Sequence, residues 1–155
     1  MNDICQDIEN TLGRYRDCWS RLDFEGLRGL WDTDEPAPLY IPEESPVPLL
    51  GWPEIQAYWA ATRNATRSIR IETWNLVARE LPEGLVSACY DMRWAGEFAG
   101  YARPIGGELR VSALFRARPA GWRFIHYVEA PLAPIAYFKR SYERFAEAPP
   151  PKVTR

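Results

Sequence analysis

Residues 108–129 read ELRVSALFRARPAGWRFIHYVE, and alternating apolar and polar residues on either side of Pro119, Ala120 and Gly121 predict a β-hairpin. Side chains two apart along a strand share a face. The first arm sets Leu109, Val111, Ala113 and Phe115 against Arg110, Ser112, Arg116 and Arg118. Strict alternation in the second arm sets Trp122, Phe124, His126 and Val128 against Arg123, Ile125, Tyr127 and Glu129. The single histidine of the chain is therefore predicted on the inward, aromatic face.

The stretch before it repeats the period. Residues 68–94, SIRIETWNLVARELPEGLVSACYDMRW, predict an antiparallel pair turning at Pro82, Glu83 and Gly84. Val86, Ala88, Tyr90, Met92 and Trp94 share one side, and Ser87, Cys89, Asp91 and Arg93 the other. The N-terminal part has a helical period instead: Ile4, Ile8, Leu12, Tyr15 and Trp19 recur at spacings of three and four, predicting an amphipathic helix over 2–21. DFEGLRGLW (23–31) predicts a shorter helix capped by Asp23. PEIQAYWAATRNA (53–65) predicts a third, with proline in its first turn and Ile55, Tyr58, Trp59 and Thr62 on one side. Between them, residues 34–53 hold six prolines, which exclude helix and leave room for a short edge strand at 39–41. LAPIAYFKRSYERFAE (132–147) predicts a terminal helix, so one domain is expected over 1–148 with a disordered tail at 149–155.

Composition narrows the function. A chain of 155 residues can bury a core without staples. A net charge of −2 carries no basic surplus for phosphates, which argues against nucleic acid and membrane surfaces as partners. No window approaches 18 continuous apolar residues and the first ten residues lack the marks of a signal peptide, so a cytoplasmic location is expected. Cys5, Cys18 and Cys89 are odd in number and unrelated in spacing, which predicts packed, reduced thiols. One histidine and no cysteine pair are too few ligands for zinc or iron, so no metal and no cofactor is expected. Seven Trp, eight Tyr and six Phe are a heavy aromatic load, and several indoles pack poorly without leaving gaps. Either a closed aromatic core or a ligand cavity would use them.

Helices, a loop strand, a helix opening after a glycine and a long antiparallel sheet, in that order, resemble the NTF2-like or SnoaL-like α+β cone. GWPEIQAYW (51–59) looks like that family's Gly-x-x-x-Ile segment, and FRARPAGWRFIHY (115–127) like its final hairpin. The resemblance implies a curved sheet around three N-terminal helices with a concave apolar pocket, plus a C-terminal helix. Ketosteroid isomerases of this fold would place their helix-one tyrosine on Tyr15. Their loop carboxylate would fall near Ile41 and their protonated acid on Ala113, where neither exists, so that mechanism is disfavoured. Relatives resembling scytalone dehydratase and polyketide cyclases use histidine, aspartate and tyrosine, which suits His126.

The expected site has His126 as general acid or base, its imidazole kept neutral by an apolar wall. Tyr15 and Tyr90 would donate to a substrate oxygen, and Glu43 or Glu44 would be a second proton carrier. Trp19, Trp31, Tyr40, Trp59 and Trp94 would wall the substrate. Phe115, Trp122 and Phe124 would join them from the last hairpin, with Arg103 over the mouth. Each has a structural alternative: a core histidine, a self-satisfied hydroxyl, a solvated Glu pair. Asp91 is expected to face outward. The resulting expectation is a cofactor-independent lyase or dehydratase acting by proton transfer on a small hydrophobic, aromatic or phenolic compound, or else an isomerase or cyclase acting on a polycyclic one. A homodimer or homotrimer is expected through outward Ile125, Tyr127 and Cys89. The rival from another class is a non-catalytic binding or dimerisation module.

Overall fold

The helical stripe of residues 4–19 becomes α1 (Asp3–Ser20), with Ile4, Ile8, Leu12, Tyr15 and Trp19 all buried. Asp23 caps α2 (Phe24–Gly29), its carboxylate accepting from the Gly26 N–H at 2.8 Å. The proline-rich segment holds β1 (Leu39–Ile41) and a two-residue β2 (Leu49–Leu50), the second of which the sequence did not announce. Gly51, at φ 82°, turns the chain into α3 (Trp52–Ala65) through a conformation few other residues adopt. Strands β3 (Thr66–Leu81), β4 (Leu85–Phe98), β5 (Ile105–Arg118) and β6 (Gly121–Pro131) follow. This computed structural model describes residues 3–132, so the expected helix over 132–147 and the tail at 149–155 lie outside the described residues.

The strands form one sheet in the order β2-β1-β6-β5-β4-β3. Consecutive long strands pair antiparallel, as the alternation predicts. β1 joins β6 in parallel with Tyr40 opposite Tyr127, so the sheet is mixed rather than wholly antiparallel, and because β2 pairs along its other side, β1 is an inner strand and not the expected edge. The concave face of the sheet carries Val86, Ala88, Tyr90 and Met92 from β4 and Leu109, Val111, Ala113 and Phe115 from β5, all buried, while α1 crosses the sheet in contact with β3 and β6. Curvature comes from irregularity: between Trp74 and Val77 the register of β3 slips by one residue, and Asn75 there takes a left-handed φ of 55°. Its side-chain amide donates to Asp91 at 2.8 Å, which holds the bulge and leaves Asp91 on the outer face as expected.

β6 departs from strict alternation. Leu114 pairs with His126 and Phe115 with Phe124, so Ile125 is an extra residue opposite no partner. Cross-strand partners share a face. His126 therefore shares the outer face with Leu114, while Phe124 and Tyr127, both buried, share the inner one. The inward assignment of His126 and Val128 and the outward assignment of Tyr127 and Glu129 are both reversed. The reason is a change of neighbour: Phe124 bridges Trp31, with hydrogen bonds of 2.9 Å to Leu30 and Asp32, whereas residues 126–128 pair with β1. Ile125 takes up the mismatch between the two.

At the end where β5 turns into β6, Asp32 is 3% exposed and accepts from Arg116 at 2.8 Å and from Arg118 at 2.7 Å. Burial opposes its ionisation, but the hydrogen bonds from Arg118 and Arg116 outweigh that and hold the carboxyl below its ordinary value. Glu35 joins the cluster through Arg116 at 2.8 Å. Because the arginines are half-exposed, Asp32→Ala is expected to cost about 2 kcal/mol in urea unfolding, less than the roughly 3–5 kcal/mol of a fully buried pair. A loss under about 0.5 kcal/mol would show that the cluster adds no net stability.

Candidate active site

Between α1, α3, the β1–β2 loop and the concave sheet lies a cavity of about 470 Å³. Its apolar wall includes Trp19, Ile69, Ile71, Met92, Trp94 and Phe98. Its polar groups are Tyr15, Tyr40, Tyr58, Glu43, Glu44 and Glu129. Both readings of the aromatic load thus hold in different places. Trp31 meets Trp52 and Trp59 edge to face and tilts against Tyr40, Phe124 and Tyr127, at centroid distances of 5.7–6.4 Å, which is a filled core. Behind it remains a void of only about 10 Å³, room for a single water.

Glu129 is the group that alternation hid. The bulge at Ile125 brings it to the concave face, where it lines the cavity. Tyr40 donates to its Oε1 at 3.2 Å, and the backbone N–H of Glu43 donates to its Oε2 at 3.0 Å. Burial among aromatic rings disfavours its charge, and the carboxylates of Glu44 and Glu43 repel it further. Against the two hydrogen bonds these push its pKa up to about 8. At neutral pH it is mostly a carboxylic acid. Glu43 accepts from the Trp94 indole N–H at 2.6 Å, and Glu44 accepts from the Tyr58 hydroxyl, so each loop carboxylate is tied to one aromatic wall. A side chain at Gly107 would crowd the first of these: a Cβ there would lie 3.2 Å from Trp94 Nε1 and 3.4 Å from Glu43 Oε1.

A second set of groups enters from below. Tyr90 donates to Tyr127 at 3.4 Å, and Tyr127 donates to Tyr15 at 3.0 Å. Tyr15 then has its own proton for the cavity, with no acceptor among the described residues. Burial foremost, and the negative field of Glu129 after it, push the Tyr15 hydroxyl well above its ordinary value. Burial does the same to Tyr40, Tyr58, Tyr90 and Tyr127. These phenols donate hydrogen bonds and do not act as bases.

Of the residues expected in the site, Tyr15, Trp19, Tyr40, Glu43, Glu44 and Trp94 meet at this cavity. The others do not. Tyr90 stands behind Tyr127 and reaches the cavity only through the hydroxyl chain. Trp31, Phe115 and Phe124 are buried in the core, Trp59 with them at the void, and Trp122 packs on the core's edge. Arg103 is exposed and outside the lining. His126 is on the far face, where burial alone lowers its pKa. Residues that sequence reasoning missed are Glu129, Tyr127 and Tyr58. The apolar doublet Phe124-Ile125, which breaks alternation, was the one trace of the first two. Among the described residues no cluster of His, Cys, Asp or Glu is arranged to hold a metal ion, and no helix is long and apolar enough to cross a membrane.

Residues 8–134 match the model of the SnoaL-like domain, and the chain belongs to that family. Solved structures with the same fold include a candidate dehydratase of the NTF2-like family from Streptomyces avermitilis. The two share 17% identity and a TM-score of 0.75 over 86% of this chain and 99% of that one. A candidate scytalone dehydratase from Novosphingobium aromaticivorans is 11% identical, with a TM-score of 0.71 over 83% of each chain. A candidate calcium/calmodulin-dependent protein kinase II association domain from Xanthomonas campestris is 10% identical, with a TM-score of 0.68 over 81% of this chain and 85% of that one. No curated protein sequence matches significantly. The family and the cone fold expected from the hairpin and the Gly51 segment are thus established, and identities this low carry the fold alone.

The raised Glu129 pKa has a consequence for stability. Between its ordinary value of 4.5 and about 8 the unfolded chain gives up this proton while the folded chain keeps it. The native state then binds more protons, so this group's contribution falls as pH rises through that window, by at most about 1.4 kcal/mol per pH unit. Thermal unfolding should show a steeper loss from about pH 5 to about pH 8 in wild type than in Glu129→Gln. Equal slopes would mean that Glu129 titrates as an ordinary carboxylate.

Proposed function

We propose that the protein is a cofactor-independent lyase, most simply a dehydratase, that acts by proton transfer on a small hydrophobic, aromatic or phenolic compound. The observation that carries this reading is a carboxyl held protonated at neutral pH on the wall of an aromatic cavity, beside a tyrosine with a free proton. The fold shared with candidate dehydratases supports it.

In this reading Glu129 is the general acid in place of His126. It gives its proton to the departing hydroxyl of the substrate, whose C–O electron pair leaves with the oxygen as water. A loop carboxylate, Glu44 or Glu43, takes a proton from the neighbouring carbon, and the C–H electron pair becomes the new double bond. Tyr15 donates to the substrate oxygen on which charge accumulates, and Tyr127 and Tyr90 behind it polarise that hydroxyl. Trp19, Trp94 and Phe98 hold the ring and exclude water.

A second reading rests on the outer sheet face, where Trp74 and Val77 are 37% and 68% exposed beside Cys89. There the domain would pair with a second copy and the cavity would merely hold a ligand, in keeping with the association-domain fold among its neighbours.

A thermal-shift screen of phenolic, stilbenoid, steroid and polyketide-like compounds, with hits followed for turnover, separates the two. Under the lyase reading Glu129→Gln is expected to cost about 10²–10⁴-fold in kcat while the hit still binds. His126→Gln is expected to stay within about twofold of wild type, since it touches nothing in the cavity. Turnover that survives in Glu129→Gln, or binding without turnover in wild type, would remove the proposed mechanism.

A further inference from the structure

The cavity is one-sided in charge. Glu43, Glu44 and Glu129 open onto it, and among the described residues no Lys, Arg or His does. The wall around the loop carboxylates is aromatic, with Tyr40, Tyr58, Trp94 and the rim residue Tyr101. Aromatic faces are electron-rich and attract cations. Glu43 and Glu44 each accept one hydrogen bond from these rings, and a carboxylate has room for more.

The α1 wall has the opposite character. Trp19 is 5% exposed, lines the cavity, and its indole N–H is buried beside the Tyr15 hydroxyl without a partner of good geometry among the described residues. Tyr15 adds its unused proton at the same place.

Taking the cavity as the ligand site of the proposed lyase, we propose that its substrate is an aromatic compound with a protonated amine, which meets one of Glu43 and Glu44 across the ring faces and leaves the other free as the base, and an oxygen, which accepts from Tyr15. A neutral phenol leaves the carboxyl groups of the cavity without a counter-charge. An anionic substrate adds to the repulsion that Glu44 and Glu43 exert on Glu129. A cation seated on the loop carboxylates relieves it. The titratable groups facing Glu129 are Tyr40, Glu43 and Glu44 from the β1 loop, Tyr58 from α3, and Tyr15 and Tyr127 behind them.

Isothermal calorimetry with wild-type protein tests this with probes of one shape: 4-(2-aminoethyl)phenol, 4-(2-hydroxyethyl)phenol, 3-(4-hydroxyphenyl)propionate and 2-phenylethylamine. The aminophenol is expected to bind at least about tenfold more tightly than the neutral alcohol, and the carboxylate not measurably. Removing the ring hydroxyl should weaken the amine several-fold, and Tyr15→Phe should shrink that difference. Glu44→Gln, at an exposed loop position, should narrow the preference for amine over alcohol, and Glu43→Gln should act in the same direction. The proposal is overturned if the alcohol or the carboxylate binds as well as the amine, or if none binds at about 10 mM. No turnover is needed for this readout. A protein that prefers the amine yet is unaffected catalytically by Glu129→Gln would lose the lyase reading and keep this one, and the reverse pattern would do the opposite.

Discussion

Everything on the concave face of β6 depends on one surplus residue. β6 has to satisfy two neighbours in succession, residues 30–32 at Phe124 and β1 at residues 126–128, while pairing along its other edge with β5. Ile125 absorbs the mismatch, and because side chains alternate, a single extra residue inverts the face of all that follow. Phe124 and Tyr127 then both reach the aromatic core, with ring centroids 5.4 Å apart, and Glu129 follows Tyr127 into the cavity. Without the bulge, that wall would present an imidazole and a valine in place of a phenol and a carboxyl.

Two buried carboxyls show how environment, rather than residue type, decides charge. Asp32 faces two guanidinium groups and is held ionised below its ordinary pKa. Glu129 faces tyrosines, one backbone amide and two further carboxylates, and keeps its proton to about pH 8. Burying a carboxyl without a cation is unfavourable, and it persists here because the surrounding structure holds it in place. Asp32 lies where β5 turns into β6 and stitches the 30–35 segment to the sheet; Glu129 lies at the open cavity. The ionised and the protonated carboxyl are thereby kept at opposite ends of β6.

Much of the fold was legible because strong periods met short turns. The stripe of α1, the Asp23 cap, the three-residue β1 and the inward faces of β4 and β5 all follow from spacing alone. β2 was not legible, since two residues have no period. The parallel junction of β1 with β6 was not either, because pairing between distant segments leaves no local mark. The site was half legible. Tyr15, Trp19 and Trp94 sit on regular elements, and their faces could be counted from either end. Glu129 and Tyr127 lie beyond a bulge, where counting fails, and the apolar pair Phe124-Ile125 hints at the irregularity without locating its consequence.

The cavity owes its shape as much to absent side chains as to present ones. Trp94 on β4 stands directly opposite Gly107 on β5, and the neighbouring position pairs Ala95 with Gly106. A Cβ at Gly106 would come within 2.5 Å of the Trp94 carbonyl oxygen, and one at Gly107 would press on the indole N–H and on Glu43. The bare backbone therefore lets the indole swing across β5 and hold the loop carboxylate at 2.6 Å. Toward the far end of β5, Phe115 packs on Phe124 of β6 with ring centroids 4.4 Å apart. The cavity opens here because one sheet is bulky and sealed at one end and thinned to glycine at the other.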